Sequence, residues 1–350
     1  MPNILFIATQ NNAVTHIRMG MFAQKMSELG LAHSRLFPEF KAKDHVTLFW
    51  EGELKERLPQ IEEQVKWADI VVVQYVSSAE GVSLVEGIRD MKPCFMECDD
   101  YFSAIPTYSY AFMTGNKPGE RQDYWGIRQL MESTGCIVST QYLADAFSKY
   151  NTNIHVIPNC IDFKVWNHYE PPKNDRIRIG WVGGGNHDGD LKLVKQVLYD
   201  IVDEYPNVEV VIFCGMPLKW APHDRISTRL VSVPILEYPE QVKKMKFDIG
   251  IAPLRDNFMN RGKSNLRYLE YSSLKIPTVA SEVEPFKNDF VGLLASDEMD
   301  WYEHLSTLIK DEIYRKDLGQ KAYDNIYEKF NLDTVARKYS ELVQGVVNVK

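Results

Sequence analysis

The feature that most limits what this chain can fold into is a repeated alternation. Short runs of nearly unbroken Val, Ile and Phe are each followed by a polar turn and an amphipathic stretch of helical period. In the first half the strand-like runs are Ile4–Thr9, Asp69–Val76, Pro93–Glu97, Cys136–Thr140 and His155–Pro158, with helical stretches such as Gly20–Leu29 and Gln141–Lys149 between them. In the second half they are Arg178–Val182, Val208–Cys214, Leu230–Val233, Phe247–Pro253, Thr278–Ser281 and Gly292–Ala295. A strand that is apolar throughout needs cover on both faces, and strand–helix alternation leads to parallel pairing with right-handed crossovers. The pattern restarts near Arg176, after the polar, proline-containing stretch Asn167–Asp175, which reads as a linker. The expected organisation is a first domain over 1–168 and a second over 169–332. Ligands of such sheets bind beyond the carboxyl ends of the strands, so two domains facing each other would enclose a cleft.

A chain of 350 residues with 45% hydrophobic content has enough apolar material for two cores. A formal net charge of -8 supplies no global basic field to recruit nucleic acid or an anionic membrane, although a local basic patch stays compatible with it. The five cysteines, Cys94, Cys98, Cys136, Cys160 and Cys214, are odd in number and irregular in spacing, which suits buried thiols better than a disulfide framework or a zinc site. The first residues lack the basic start and apolar length of a signal peptide, and no run is long enough to span a bilayer, so a cytoplasmic location is expected.

Two places carry chemistry in the second half. In the first, a strand runs into Gly183-Gly184-Gly185-Asn186-His187-Asp188-Gly189-Asp190 and then into a helical pattern, with Asp188 or Asp190 as a plausible cap. Glycines permit close backbone approach and helix starts attract anions, so the turn suits a phosphate. The dinucleotide fingerprint fails at Asp188, and no Gly-Lys-Ser/Thr follows for a P-loop. A tight turn without a ligand fits this segment equally well.

The second place is the strand Phe247–Leu254, the polar loop Arg255–Gly262 and a helix read as starting at Lys263 with Ser264 as its cap. Lys263 and Glu270 stand seven apart, about 10 Å of rise on nearly the same face of a helix. Lys263 with the amides of Ser264 and Asn265 would meet phosphate, and Glu270 would accept from ribose hydroxyls. By spacing alone the better reading is a surface helix on which Glu270 pairs with Arg267 and Lys263 is solvated.

The run DIGIAPLRDNFMNRGKSNLRYLEYSSLKIPTVAS resembles the C-terminal signature of family 4 glycosyltransferases and their relatives. IHVIPNCID, RIRIGWVGGGNHDGDL and YEKFNLDTVARKYSELV are similar to that family's hinge approach, donor-domain opening and closing helices. The likeness covers the second half of the chain; the first half matches only in its alternation. It implies the GT-B fold, two Rossmann-like doubly wound domains facing across a cleft, with a C-terminal helix (about 333–350) packed back on the first domain. It implies a nucleoside diphosphate sugar, a UDP- or GDP-sugar, as donor substrate, no tightly bound cofactor, no metal, and retention at the anomeric carbon. Carried over residue by residue, Glu270 matches the ribose-holding second Glu of the family motif, and Lys263, Ser264 and Asn265 lie beside the phosphates. Gly183, Gly184, Gly185 and His187 match the loop under the diphosphate, Gly215 the loop flanking the base, and the segment ending at Tyr238 the one closing the base pocket. Two departures stand out. Gly262 replaces the family's first Glu, leaving Asp256 or Asn260 to meet the sugar. The cation pair after the first donor strand is also missing, leaving Lys263, Arg261 or Arg255 to supply charge.

The first half is expected to hold a glycan or other hydroxyl acceptor. The loop Thr9–Arg18 offers His16 and Arg18, with a simple helix-capping loop as the equal alternative. Glu97-Cys98-Asp99-Asp100 at a strand end offers Asp99 and Asp100 for sugar hydroxyls or as a base. The aromatic stretch Tyr101 to Trp125, including Tyr108, Tyr110 and Phe112, suits sugar stacking, though core packing is the commoner use of such residues. The expected activity is sugar transfer from a nucleoside diphosphate sugar. Competing readings are an inverting GT-B transferase, including one acting on modified phage DNA, a sugar-nucleotide epimerase, and a catalytically silent nucleotide- or glycan-binding subunit.

Overall fold

The computed structural model describes residues 1–9, 12–39, 53–76, 78–105, 122–167, 174–184, 187–215, 218–230 and 233–348. They form two compact units. The first comprises Met1–Cys160, Gly262–Ser264 and Leu332–Lys350; the second comprises Ile161–Arg261 and Asn265–Asn331.

The first unit is built on strands β1 (Asn3–Ile7), β2 (His33–Phe37), β3 (Ile70–Gln74), β4 (Cys94–Cys98), β5 (Gly135–Val138) and β6 (Ile154–Val156). All pair in parallel, in the order β2-β1-β3-β4-β5-β6. Helices α1 (Met21–Glu28), α2 (Glu53–Trp67), α3 (Ala79–Arg89), α4 (Gln122–Glu132) and α5 (Gln141–Phe147) connect them. Strands β3 and β4, apolar except for Gln74 and Glu97 near their carboxyl ends, are buried at every residue, as strands covered on both faces must be. Strand β2 escapes sequence reading because it is an edge strand, His33-Ser34-Arg35-Leu36-Phe37, with no fully buried residue.

The second unit repeats the plan with β7 (Ile177–Gly183), β8 (Val208–Cys214), β9 (Ile226–Leu230), β10 (Ile249–Ala252), β11 (Thr278–Ser281) and β12 (Leu293–Ala295). Their parallel order is β12-β11-β10-β7-β8-β9. The helices are α6 (Asp188–Leu191), α7 (Lys195–Glu204), α8 (Tyr238–Met245), α9 (Phe258–Gly262), α10 (Leu266–Ser273), α11 (Glu298–Lys310) and α12 (Glu312–Lys329). The last helix, α13 (Leu332–Asn348), belongs to the first unit, where Val335, Ala336, Tyr339 and Val343 join the core of Phe6, Phe22 and Phe95. Of the expected strand Leu230–Val233, Leu230 ends β9, which starts earlier at Ile226, and residues 231 and 232 lie outside the described residues. Most of the expected linker, 168–173, lies outside them as well.

One detail of the second unit sets the position of everything below. Gly180 of β7 and Gly250 of β10 are register partners. A Cβ on Gly180 would come within 2.1 Å of the Phe247 ring, and one on Gly250 within 2.4 Å of the Tyr271 ring. The two aromatic rings therefore lie directly on the sheet, where only glycine leaves room. The Tyr271 hydroxyl accepts from Val182 N at 3.2 Å. This pulls α10, which carries Arg267 and Glu270, down onto the carboxyl end of β7.

Candidate functional site

In each sheet the strand order reverses at one place, between β1 and β3 in the first unit and between β7 and β10 in the second. Loops leaving such a point diverge to opposite faces, and the crevice between them is where open α/β sheets bind ligands.

In the first unit this crevice is closed by its own polar groups. Gln74 Oε1 accepts from Thr9 N (2.9 Å), Thr9 Oγ1 (3.1 Å) and Thr15 Oγ1 (3.0 Å), all buried. In the second unit the corresponding loops, after β7 and after β10, carry most of the residues singled out from sequence.

Glu270 is 5% exposed. Its Oε2 accepts from the Tyr238 hydroxyl and from Arg267 Nη1, each at 3.1 Å, and Arg267 Nη1 also reaches the Tyr238 oxygen at 3.1 Å. Among the described residues Oε1 has no hydrogen-bond partner. Burial raises the Glu270 carboxyl above the usual range, opposed by the Arg267 charge. Burial also pushes the Tyr238 phenol well up, with Glu270 adding to it. The Arg267 guanidinium lies 5.4 Å from the Trp181 ring centroid, a cation–π distance. Trp181 in turn meets His187 edge-on at 5.7 Å.

The glycine-rich turn begins at Gly183, whose carbonyl accepts from Gly215 N at 2.9 Å. A Cβ there would fall 2.6 Å from Trp181 and 2.7 Å from Arg267 Nη2, so glycine is what admits the arginine. A Cβ on Gly184 would meet nothing within 4 Å. Gly185 lies outside the described residues. The cap of α6 is His187, not Asp188 or Asp190. Asp190 is instead buried as a hub: Oδ2 is 2.8 Å from His187 Nδ1, and Oδ1 accepts from Arg255 N (2.9 Å) and Asn260 Nδ2 (3.0 Å). Asn260 Nδ2 also donates to the Arg255 carbonyl at 2.9 Å. Both amide hydrogens of Asn260 are thus committed within the protein and are not available to a sugar. Asp256 binds Arg261 through two hydrogen bonds, 2.5 and 2.8 Å, so neither stands ready as a substitute for the missing carboxylate or cation.

Helix α10 starts at Leu266 with Asn265 as its cap, and no side chain closes that cap. The expectation of a helix from Lys263 with Ser264 as cap is therefore corrected, and with it the argument that Lys263 and Glu270 share a helix face. Gly262, Lys263 and Ser264 group with the first unit. There Thr140 Oγ1 donates to the Gly262 carbonyl (3.2 Å), Asn159 Nδ2 donates to Ser264 Oγ (2.7 Å), and Lys263 Nζ stands 3.7 Å from Asp100 Oδ1. A Cβ on Gly262 would press on Tyr101 Cβ and Leu143 Cδ2 at 3.0 Å each. Any side chain there would be tight, and Tyr101 and Leu143 would have to give by a few tenths of an ångström to admit it.

Arg18 is not available as a ligand. It is 1% exposed and donates to Glu97 Oε1 (2.7 Å), the Ile157 carbonyl (2.8 Å) and Asn159 Oδ1 (2.9 Å). His16, half-buried, opens the wide helical turn His16–Gly20 that carries Arg18 inward. Asp99 is pushed up to about 8, first by burial, then by Asp100 and Glu97, against the pull of Arg18 and Lys263. Glu97 is likewise raised by burial, opposed by Arg18. Tyr101, half-buried, meets Tyr142 and Phe147 edge-on, and Phe102 stacks on Tyr75 and Phe147, so this part of the aromatic stretch is core. Tyr108, Tyr110 and Phe112 lie outside the described residues. All five cysteines are buried and none is joined in a disulfide, the Cys94 thiol pushed up to about 12 by burial. Among the described residues no group of three or more His, Cys, Asp or Glu is placed to hold a metal ion, and no helix is long and apolar enough to cross a membrane.

No protein-family model matches the chain, and no curated protein does. Solved structures do. Sucrose-phosphate synthase from Thermosynechococcus elongatus aligns over 100% of both chains at 11% identity with a TM-score of 0.68. HepE from Anabaena in complex with UDP-glucose aligns over 99% of this chain and 100% of its own at 12% identity, TM-score 0.67. A glycosyltransferase from Rickettsia africae aligns over 99% and 98% at 12% identity, TM-score 0.64. At such identities the likeness establishes the fold: two Rossmann-like parallel α/β units of the GT-B class.

Proposed function

We propose that this protein is a glycosyltransferase that moves a sugar from a nucleoside diphosphate sugar to a hydroxyl acceptor. The observation that carries the reading is Glu270. It is a buried carboxylate at the switch point of the second sheet, with one oxygen fixed by Tyr238 and Arg267 and the other left open. A fixed acceptor of this kind suits the paired hydroxyls of a ribose, since one oxygen is already held in place by Tyr238 and Arg267 and the other is left to accept from a ligand. Neighbours of the same fold were solved with UDP and with UDP-glucose, which supports a uridine or related donor.

In this reading the donor's nucleoside rests between Tyr238 and the loop at Gly215, and its diphosphate lies along Gly183, Gly184 and His187. The acceptor oxygen bonds to the anomeric carbon and loses its proton. The bond from that carbon to the diphosphate oxygen breaks, and the electron pair leaves with the diphosphate. The protein's task is to hold the donor and to stabilise that leaving charge. We assign the acceptor to the first unit, with His16, Asp99 and Asp100 as its polar contacts. Asp99, held protonated towards pH 8, suits hydrogen-bond donation to an acceptor; Asp100, beside Lys263, suits accepting its proton. The resemblance to family 4 enzymes supports retention and a metal-independent reaction.

A silent nucleotide-binding subunit is the second reading, favoured by the glycine at position 262, where no carboxylate is present and a side chain would be tight. Thermal-shift measurement with UDP, GDP, TDP and their sugars, followed by transfer assays on the best donor, separates the two. Stabilisation with turnover supports the transferase, stabilisation without turnover across acceptors supports the silent subunit, and no stabilisation by any nucleotide removes both.

A further inference from the structure

The loop after β7 offers no lysine or arginine from Gly183 through Asp190, yet a diphosphate that departs with extra charge needs cations. Those nearby in sequence are mostly spent. Lys263 faces Asp100 in the first unit, and Arg261 is bound twice by Asp256. Arg255 and Arg267 are different. Arg267 uses Nη1 on Glu270 and Tyr238, while Nε and Nη2 have no hydrogen-bond partner among the described residues. Those two groups form the side-on fork that matches a phosphate or carboxylate. Nη2 lies over Gly183, where a Cβ would stand 2.7 Å away. Arg255 has its backbone pinned at both ends, N–H to Asp190 and carbonyl to Asn260. Its guanidinium has no polar partner among the described residues and sits over Gly189, Nη1 3.5 Å from where a Cβ would be.

Two arginines from the segment after β10 thus lie over the two ends of the glycine-rich turn after β7, one at Gly183 and one at Gly189. We propose that Arg267 and Arg255 form a two-point clamp for a diphosphate, with Arg267 on the phosphate next to the ribose and Arg255 on the terminal phosphate. The order follows from Glu270. Arg267 is hydrogen-bonded to the carboxylate assigned to the ribose, so its free fork meets the first phosphate, and Arg255, at the far end of the turn, meets the second. Asp190 is the positioning residue that fixes the Arg255 backbone. The clamp rests on the donor reading above and deepens it, because it places the leaving charge on arginines from the far side of the switch point.

The test reads the phosphates one at a time by isothermal titration of the full-length protein with uridine, UMP and UDP, and with guanosine, GMP and GDP in parallel. Wild type is expected to gain affinity at each added phosphate. Arg255→Ala is expected to lose the gain from monophosphate to diphosphate, at least tenfold, with monophosphate affinity unchanged. Arg267→Lys keeps a charge but loses the fork, and is expected to lose the gain from nucleoside to monophosphate. Asp190→Asn is expected to repeat the Arg255→Ala pattern more weakly. An unchanged diphosphate-to-monophosphate ratio in Arg255→Ala, with wild type binding normally, overturns the clamp and leaves the donor reading standing. Wild type binding neither diphosphate overturns both.

Discussion

Arg267 Nη1 donates to Glu270 Oε2 at 3.1 Å across one turn of α10, and this i,i+3 pair joins a half-buried arginine to a buried carboxylate. On an exposed helix the same pair would contribute a few tenths of a kcal/mol. Here it fixes one carboxylate oxygen, with the Tyr238 hydroxyl, and leaves the second open. Burial turns an ordinary helix spacing into a preorganised hydrogen-bond acceptor.

Removing that acceptor should be felt by the sugar of the nucleoside. Glu270→Ala is expected to weaken binding of UDP or GDP by about 10- to 100-fold, the range of one or two hydrogen bonds to a charged group. The same variant should lose discrimination between ribo- and 2′,3′-dideoxyribonucleotides. Equal discrimination in variant and wild type, read by competition binding, would detach Glu270 from the ribose.

The glycine pair under the rings should be intolerant. Gly180→Ala places a methyl group 2.1 Å from the Phe247 ring, and Gly250→Ala one 2.4 Å from Tyr271. Each is expected to destabilise the second unit by about 1–3 kcal/mol, typical of overpacking. Chemical denaturation followed by tryptophan fluorescence, with Trp166 as the reporter inside that core, reads the shift in midpoint. Gly184→Ala, where a Cβ meets nothing within 4 Å, is the control and should leave the midpoint unchanged.

The buried pair of Arg18 and Glu97 should cost much to break and little to replace whole. Either single alanine substitution strands a charge and is expected to cost about 3–5 kcal/mol. Replacing both by apolar residues of similar volume should recover most of that loss. Urea unfolding of the single and double variants gives the comparison, and an additive double variant would contradict the argument.

Asp99 gives a pH signature with a definite sign. Its folded-state value, raised to about 8 from the ordinary 3.8, means that the folded protein holds a proton which the unfolded chain releases. Its contribution is therefore fully present below about pH 4 and is lost progressively as pH rises towards 8. Asp99→Asn, which mimics the protonated form, is expected to flatten stability against pH across that window. A variant whose curve keeps the wild-type slope would show that the proton resides elsewhere.

The fold was legible because predominantly apolar strands such as Ile70–Gln74 and Cys94–Cys98 have no other way to be satisfied than burial on two faces. The polar edge strand His33–Phe37 was not legible, since its pattern is that of a loop. Glu270 and Tyr238 were singled out through resemblance, and the fold brings the two side chains together. Lys263 could not be placed, because spacing counted it into a helix that begins three residues later. Asp190 read as a cap because a short acidic side chain after a glycine turn fits that role equally well. Its three partners are His187 and, in the segment after β10, Arg255 and Asn260 of α9, the latter two brought near only when β7 and β10 pair. Arg267 read as half of a surface pair, since sequence spacing says nothing about whether a pair is covered.

The most direct test of a nucleotide site at Glu270 is a crystal structure of the protein grown with UDP or GDP. The account predicts a ribose hydroxyl within hydrogen-bonding distance of Glu270 Oε1 and phosphate oxygens against Gly183 and Gly184. A nucleotide bound elsewhere, or Glu270 Oε1 left in contact with water alone while nucleotide occupies the second unit, would contradict it.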